Sequence, residues 1–369
     1  MRRYRRSPPP GASWAVALAA AVLACSDAPT APRTAADLSA EWTVSSPEAE
    51  SIDRQKLDAA QARAEALPRV LSLVVIRHGH LVLESYLHGN TRDSLNDVRS
   101  VTKSIVSSLV GIAVDRGAFP GVGAAIAPYL TPGQHASIDA PKRAITIENL
   151  LTMSSGFLWD ESTVAGYNDW VVSPDPVAYL LSKPLVSAPG AAFRYNSAAV
   201  HLLSRLTVPA TGVPLEQFAQ QHLFDPLGVS RVRWGHFPGG EPNGGAGVAM
   251  RPRDLAKVGA LWLQRGDGGS RRIISAGWIS AATSPQFDYW DGGAPLADQS
   301  YGYLWWLNRQ GGRLHYFAWG FGGQIVWVAP DLDLVVVVTT EWRNAGNAAG
   351  QHSTEAIDLV VNHVLPAVR

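Results

Sequence analysis

Ser100 and Lys103 stand three positions apart in Val98-Arg99-Ser100-Val101-Thr102-Lys103. On a helix that spacing puts two side chains on one face, with Cβ atoms about 5–6 Å apart. A serine hydroxyl is a poor nucleophile at neutral pH and needs a base to take its proton. A lysine can be that base if burial disfavours its ammonium form, and a helix N-terminus nearby helps in the same direction. The pair therefore points to attack by Ser100 on a carbonyl, with Lys103 accepting the proton. The pattern is short enough to occur by chance, so its setting matters.

That setting is a helix running from 98 to 117. Val101, Ile105, Leu109, Ile112 and Ala113 follow the helical period, and Val106 and Val110 widen the apolar stripe around most of the circumference. Such a helix is expected to be buried. Arg116 sits in its last turn and Gly117 suits the left-handed position beyond it. Before it come two β-rich runs, 70–77 and 80–86, joined at His78-Gly79, the pattern of a hairpin with a two-residue turn. A histidine-phosphatase motif at Arg77-His78-Gly79 would require a further arginine where Leu81 stands.

The remaining elements must bring partners to this pair. A helix is predicted over 52–67, ended by Pro68, and a short one over 145–151 that closes in a turn at Ser154-Ser155-Gly156. The loop 159–170 is polar and aromatic and suits a cleft wall. Tyr195 precedes a helical run over 198–206, with Asn196 or Ser197 placed to cap it. An amphipathic helix follows at 253–263. Three strands are predicted at 313–318, 324–329 and 334–340, then a closing helix over 355–364. Strands at both ends and helices between predict an α+β fold: one antiparallel sheet built from the N- and C-terminal strands, flanked by helices, with a helical insertion.

Ser100-Val101-Thr102-Lys103, Tyr195-Asn196-Ser197 about 90 residues later, and the glycine-rich strand entry Trp319-Gly320-Phe321-Gly322-Gly323-Gln324 together resemble the serine β-lactamase and penicillin-recognising superfamily. The resemblance runs from about Ile52 to the C-terminus and is nearest the class C-like branch of esterases and 6-aminohexanoate-dimer hydrolases. It implies a β-lactamase/transpeptidase-like fold, an acyl-enzyme on Ser100, and Lys103 and Tyr195 as proton relay. It also implies an oxyanion hole from the Ser100 N–H and one near Gly322, with Ser197, Trp319, Gly320, Phe321 and Gln324 around the substrate. Two departures stand out. Ser197 occupies a position usually held by Asn, and Ala318-Trp319-Gly320 lacks the usual Lys or His. The missing cation argues for an ester or uncharged amide rather than a penicillin or a peptidoglycan stem peptide, each of which carries a carboxylate. A D-Ala-D-Ala carboxypeptidase or β-lactamase is the alternative within enzymes, and a catalytically silent envelope binding module the alternative outside them.

Composition limits the partners. The 369 residues carry 31 basic and 31 acidic side chains, a formal net charge of zero, so no basic face for nucleic acid is expected. No His-Glu-x-x-His or similar spacing suggests a metal, and the chemistry calls for no cofactor. Arg2, Arg3, Arg5 and Arg6 followed by an apolar run ending Ala21-Val22-Leu23-Ala24-Cys25 resemble a bacterial lipoprotein signal. Cys25 is the only cysteine, the expected lipidation site, and the mature domain then has no thiol for catalysis or disulfides. The expected organisation is a signal over 1–25, a flexible Ser/Ala/Pro/Thr-rich tether over 26–45 and a hydrolase domain over 46–369, exported and membrane-anchored.

Overall fold

A computed structural model describes residues 35–162, 164–289, 296, 298–343 and 345–369. Its main element is an eight-stranded antiparallel sheet. The strands are β1 (Val70–Arg77), β2 (His80–Tyr86), β6 (Phe287–Tyr289), β7 (Gln299–Tyr301), β8 (Trp306–Gln310), β9 (Arg313–Gly320), β10 (Gln324–Ala329) and β11 (Leu334–Thr340). Their order across the sheet is β2-β1-β11-β10-β9-β8-β7-β6. The N-terminal and C-terminal strands are neighbours in it, with Val74 of β1 paired with Val337 of β11.

Strands β10 and β11 are buried along their whole length, and β1 nearly so. Branched apolar runs of this kind pack on both faces and must be covered on both. The Pro252–Leu263 helix lies against β1, β10 and β11. It comes so close that a Cβ on Gly259 would sit 2.6 Å from Val335 and 2.8 Å from Val326. The Arg54–Ala66 helix packs on β1, and the closing Ala349–Asp358 helix on β10.

The α+β architecture is the expected one. The β1–β2 turn is formed by His78 and Gly79 with φ of 53° and 78°, both in the left-handed region that a two-residue hairpin turn demands. The three C-terminal strands and the central helices also lie where their periodicity puts them, although the closing helix begins at Ala349, before the expected 355. Strands β6 to β8 and a second, three-stranded sheet were not foreseen. The latter consists of β3 (Asn96–Asp97), β4 (Val232–Trp234) and β5 (Val248–Met250), ordered β3-β5-β4. Its strands are too short for alternation to mark them.

One boundary is corrected. The expected tether over 26–45 does not extend past 34, because the compact body begins at Ala35. Leu38 is buried and its N–H donates to Gly268 O at 2.9 Å, and the Trp42 indole donates to Arg253 O at 2.9 Å. Two large apolar side chains in an otherwise polar stretch are enough to pin it down. The proposed signal, Cys25 and tether residues 26–34 lie outside the described residues. Among the described residues no helix is long and apolar enough to cross a membrane.

Candidate active site

The Val101–Asp115 helix is buried from Val101 to Ala113. Two of its buried hydroxyls are paired with neighbouring elements: Ser104 donates to Leu304 O at 2.7 Å, and Ser108 accepts from the Trp262 indole at 2.9 Å. Entry to the helix is held from two sides. The Val98 N–H donates to Val248 O at 3.0 Å, extending the small sheet by one rung. Arg99 then takes a φ of 50°, rare for a side chain of its size, while its N–H donates to Asp97 Oδ1 at 3.0 Å. This turn delivers Ser100 to the N-cap position, so that its side chain faces the first turn of the helix.

Lys103 is 1% exposed, and its amine has three oxygen neighbours. Ser100 Oγ lies 2.8 Å away, Ser197 Oγ 2.8 Å and Gly245 O 2.7 Å. Burial depresses this amine from its ordinary 10.5 to about 7; Glu161 opposes the depression and Arg99 adds to it. Burial alone does not single the residue out. Lys257 and Lys142 are also buried, but each donates to one main-chain carbonyl, that of Leu227 or Leu181. Lys103 alone of the three sits between two serine hydroxyls.

Ser197 begins the Ser197–Thr211 helix, which Asn196 caps by accepting from Ala199 N at 2.9 Å. The same cap leaves Tyr195 just outside the helix, with its ring 5.0 Å from Lys103 Nζ. Tyr195 stacks on Trp306 with centroids 5.8 Å apart, and Trp306 meets Trp319 edge-on at 5.6 Å. These three rings form an aromatic wall leading away from Lys103. Gly320 ends β9 so close to the chain entering the helix that a Cβ there would lie 2.4 Å from Val98 O. The turn after it carries half-exposed Phe321 and the left-handed Gly322.

The structure thus gathers Ser100, Lys103, Tyr195 and Ser197 around one amine and brings the Trp319–Gly322 segment alongside. Gln324 does not join them. It is fully buried, and its amide is consumed by Thr340, donating to Thr340 O at 3.0 Å and accepting from Thr340 N at 3.0 Å. It locks β10 to β11, as its place one residue into a central strand requires, so the expectation of a substrate contact at Gln324 is corrected.

Three neighbours were not anticipated. Glu161, in the loop read as a cleft wall, accepts from the Ser197 hydroxyl, from Ser197 N at 3.2 Å and from the Trp159 indole. Gly245 supplies the carbonyl to Lys103 from a turn whose N–H groups at 245 and 246 are both held by Asn243 Oδ1. Arg99 lies 4.1 Å over the Trp342 ring and donates to the Tyr167 hydroxyl at 2.9 Å. A cation therefore does act on Lys103, although it is paired with Asp97 Oδ2 at 3.9 Å and does not come from the strand where the superfamily pattern carries one. The glycine-rich stretch at 244–247 was the sequence signal for Gly245, and nothing set Glu161 apart from Asp160 and Asp169 in the same loop.

The β-lactamase family model matches residues 59–360, so the chain belongs to the β-lactamase family of hydrolases. It is 25% identical over 341 residues to the 6-aminohexanoate-dimer hydrolase of Paenarthrobacter ureafaciens, covering 85% of this chain and 84% of that one. Among solved structures, its fold is similar to the octameric penicillin-binding protein homologue from Pyrococcus abyssi, with a TM-score of 0.66, 18% identity and coverage of 84% and 78%. It is likewise similar to EstCE1, a hydrolase with promiscuous acyltransferase activity, with a TM-score of 0.66, 16% identity and coverage of 85% and 100%.

A lysine held neutral by burial costs stability wherever the unfolded chain would be protonated. The cost is full below about pH 7 and fades as pH rises toward 10.5. Lys103→Met is therefore expected to stabilise the fold by about 3 kcal/mol at pH 6. This is the roughly 1.4 kcal/mol for each pH unit of depression, less the hydrogen bonds lost. The gain should shrink by pH 10 in denaturant titrations. A destabilised variant, or a gain independent of pH, would contradict the neutral amine.

Proposed function

We propose that this protein is a serine hydrolase that cleaves an ester or an amide through an acyl-enzyme on Ser100. The observation that carries the reading is the Lys103 amine, depressed to about 7 and 2.8 Å from Ser100 Oγ. Neutral Lys103 takes the Ser100 proton as Oγ attacks the carbonyl carbon. Main-chain N–H groups at Ser100 and in the Phe321–Gly322 turn hold the resulting oxyanion. Collapse of the intermediate expels an alcohol or amine, which receives its proton from the Lys103–Tyr195 relay. Water then attacks the acyl group, its proton passing to the same relay, and Ser100 is regenerated.

The aromatic wall of Tyr195, Trp306 and Trp319 favours a substrate with an apolar or planar acyl or leaving group. The Paenarthrobacter ureafaciens relative is a hydrolase of the 6-aminohexanoate dimer, which supports amide as well as ester cleavage. Arg99 keeps a second reading open, since a guanidinium that acts on Lys103 suits a carboxylate-bearing substrate such as a penicillin or a stem peptide.

Exposure to a fluorophosphonate and to a fluorescent penicillin separates the two readings. The expected result is labelling by the fluorophosphonate alone, abolished in Ser100→Ala, with an acid limb near pH 7 in its rate. Ser100-dependent penicillin labelling would favour the second reading. Failure of both probes, with no hydrolysis of p-nitrophenyl esters, would refute a serine hydrolase and leave a binding module.

Residues 1–25 further support an exported protein held to the cell envelope by a lipid on Cys25. Cys25→Ser is expected to move the protein from the membrane fraction to the soluble one, and retention on membranes would overturn the anchor.

A further inference from the structure

Lys103 as a base must present its lone pair to Ser100 and not elsewhere. A neutral amine has two N–H bonds and one lone pair. Gly245 O, at 2.7 Å, can only accept, so one N–H points there. Ser197 Oγ, at 2.8 Å, could either accept from the amine or donate to it. The second choice would occupy the lone pair and leave the Ser100 proton without an acceptor.

Glu161 decides between them. The Ser197 hydroxyl donates to Glu161 Oε1, which spends its only proton and turns its lone pairs to Lys103. The second N–H of the amine then goes to Ser197, and the lone pair is left for Ser100. The other carboxylate oxygen is fixed independently by two donors, the Trp159 indole and Ser197 N. We infer that Glu161 is a positioning residue for the hydrolytic reaction, aiming the Lys103 lone pair at Ser100 through the hydroxyl of Ser197. The inference rests on the proposed serine hydrolase reading.

Glu161→Gln probes this directly. The amide oxygen of the replacement belongs where the Trp159 indole and Ser197 N donate, which puts its NH2 against Ser197 Oγ. The Ser197 proton then turns to Lys103 and blocks the lone pair. The charged and titratable neighbours of Lys103 are Glu161, Arg99 and Tyr195, and Glu161 also acts on Tyr167. Removing the carboxylate leaves Arg99 unopposed, so the acid limb should move to lower pH. Charge loss alone would thus make the enzyme faster below pH 7, whereas reversed hydrogen bonding makes it slower on the plateau.

The test is the pH dependence of acylation by the fluorophosphonate in wild type, E161Q, S197A and E161Q/S197A. Wild-type labelling that requires Ser100 secures the underlying reading before the variants are compared. E161Q is expected to lose about 10- to 100-fold on the plateau, less than the roughly 100- to 10,000-fold that general-base catalysis itself supplies, while its acid limb shifts downward. S197A should lose less, and E161Q/S197A should recover to the S197A rate, because without the hydroxyl nothing competes for the lone pair. A plateau rate for E161Q equal to wild type, or a double variant no faster than E161Q, would overturn the inference.

Discussion

Everything in this site depends on one buried amine. Lys103 is cut off from water and bounded by two hydroxyls and a carbonyl. An ammonium there is desolvated, and only Glu161 among its charged neighbours favours it. On the proposed reading that cost serves the reaction, since the amine is then neutral near physiological pH, when an exposed lysine would be almost wholly protonated. A residue that strains the native state in order to be reactive is a familiar compromise between stability and function.

The architecture follows from the need to hold that amine from several directions at once. Ser100 and Lys103 come from the mouth of a helix that is otherwise apolar. Ser197 and Tyr195 come from the start of a second helix, Gly245 from a glycine turn, and the Trp319–Gly322 segment from the end of β9. No two of these pieces are near in sequence. They meet because the first and last strands pair with each other, with β9 two places along from β11, and the helical segments packed beside the sheet. The contact of Gly320 with Val98 O is the point where sheet and helix lock together, and it leaves no room for a side chain.

The grouping of Ser100, Lys103 and Tyr195 was legible in the sequence because the roles proposed for them depend on side-chain type, and the helical periodicity around them is strong. The central strands were legible for the same reason, as long branched runs. Gln324 looked like a site residue by its place in a glycine-rich segment, but alternation along β10 turns it inward to Thr340. Gly245 contributes a backbone carbonyl, which any residue carries, so only the turn geometry reveals it. Glu161 reaches the site from a loop with no periodicity, and nothing in its spacing from Lys103 or Ser197 announces the contact. Arg99 was hidden in plain view beside Ser100, its direction set by an uncommon backbone angle.

The most direct test of the account is the titration of Lys103 itself, followed by NMR in protein carrying 13C at the lysine ε-carbons and assigned by comparison with Lys103→Arg. A midpoint near 7 for this resonance, well below the ordinary lysine value of 10.5, is the predicted result. A Lys103 signal that titrates near 10.5 would mean that the amine is an ordinary ammonium at neutral pH and could not serve as the base for Ser100.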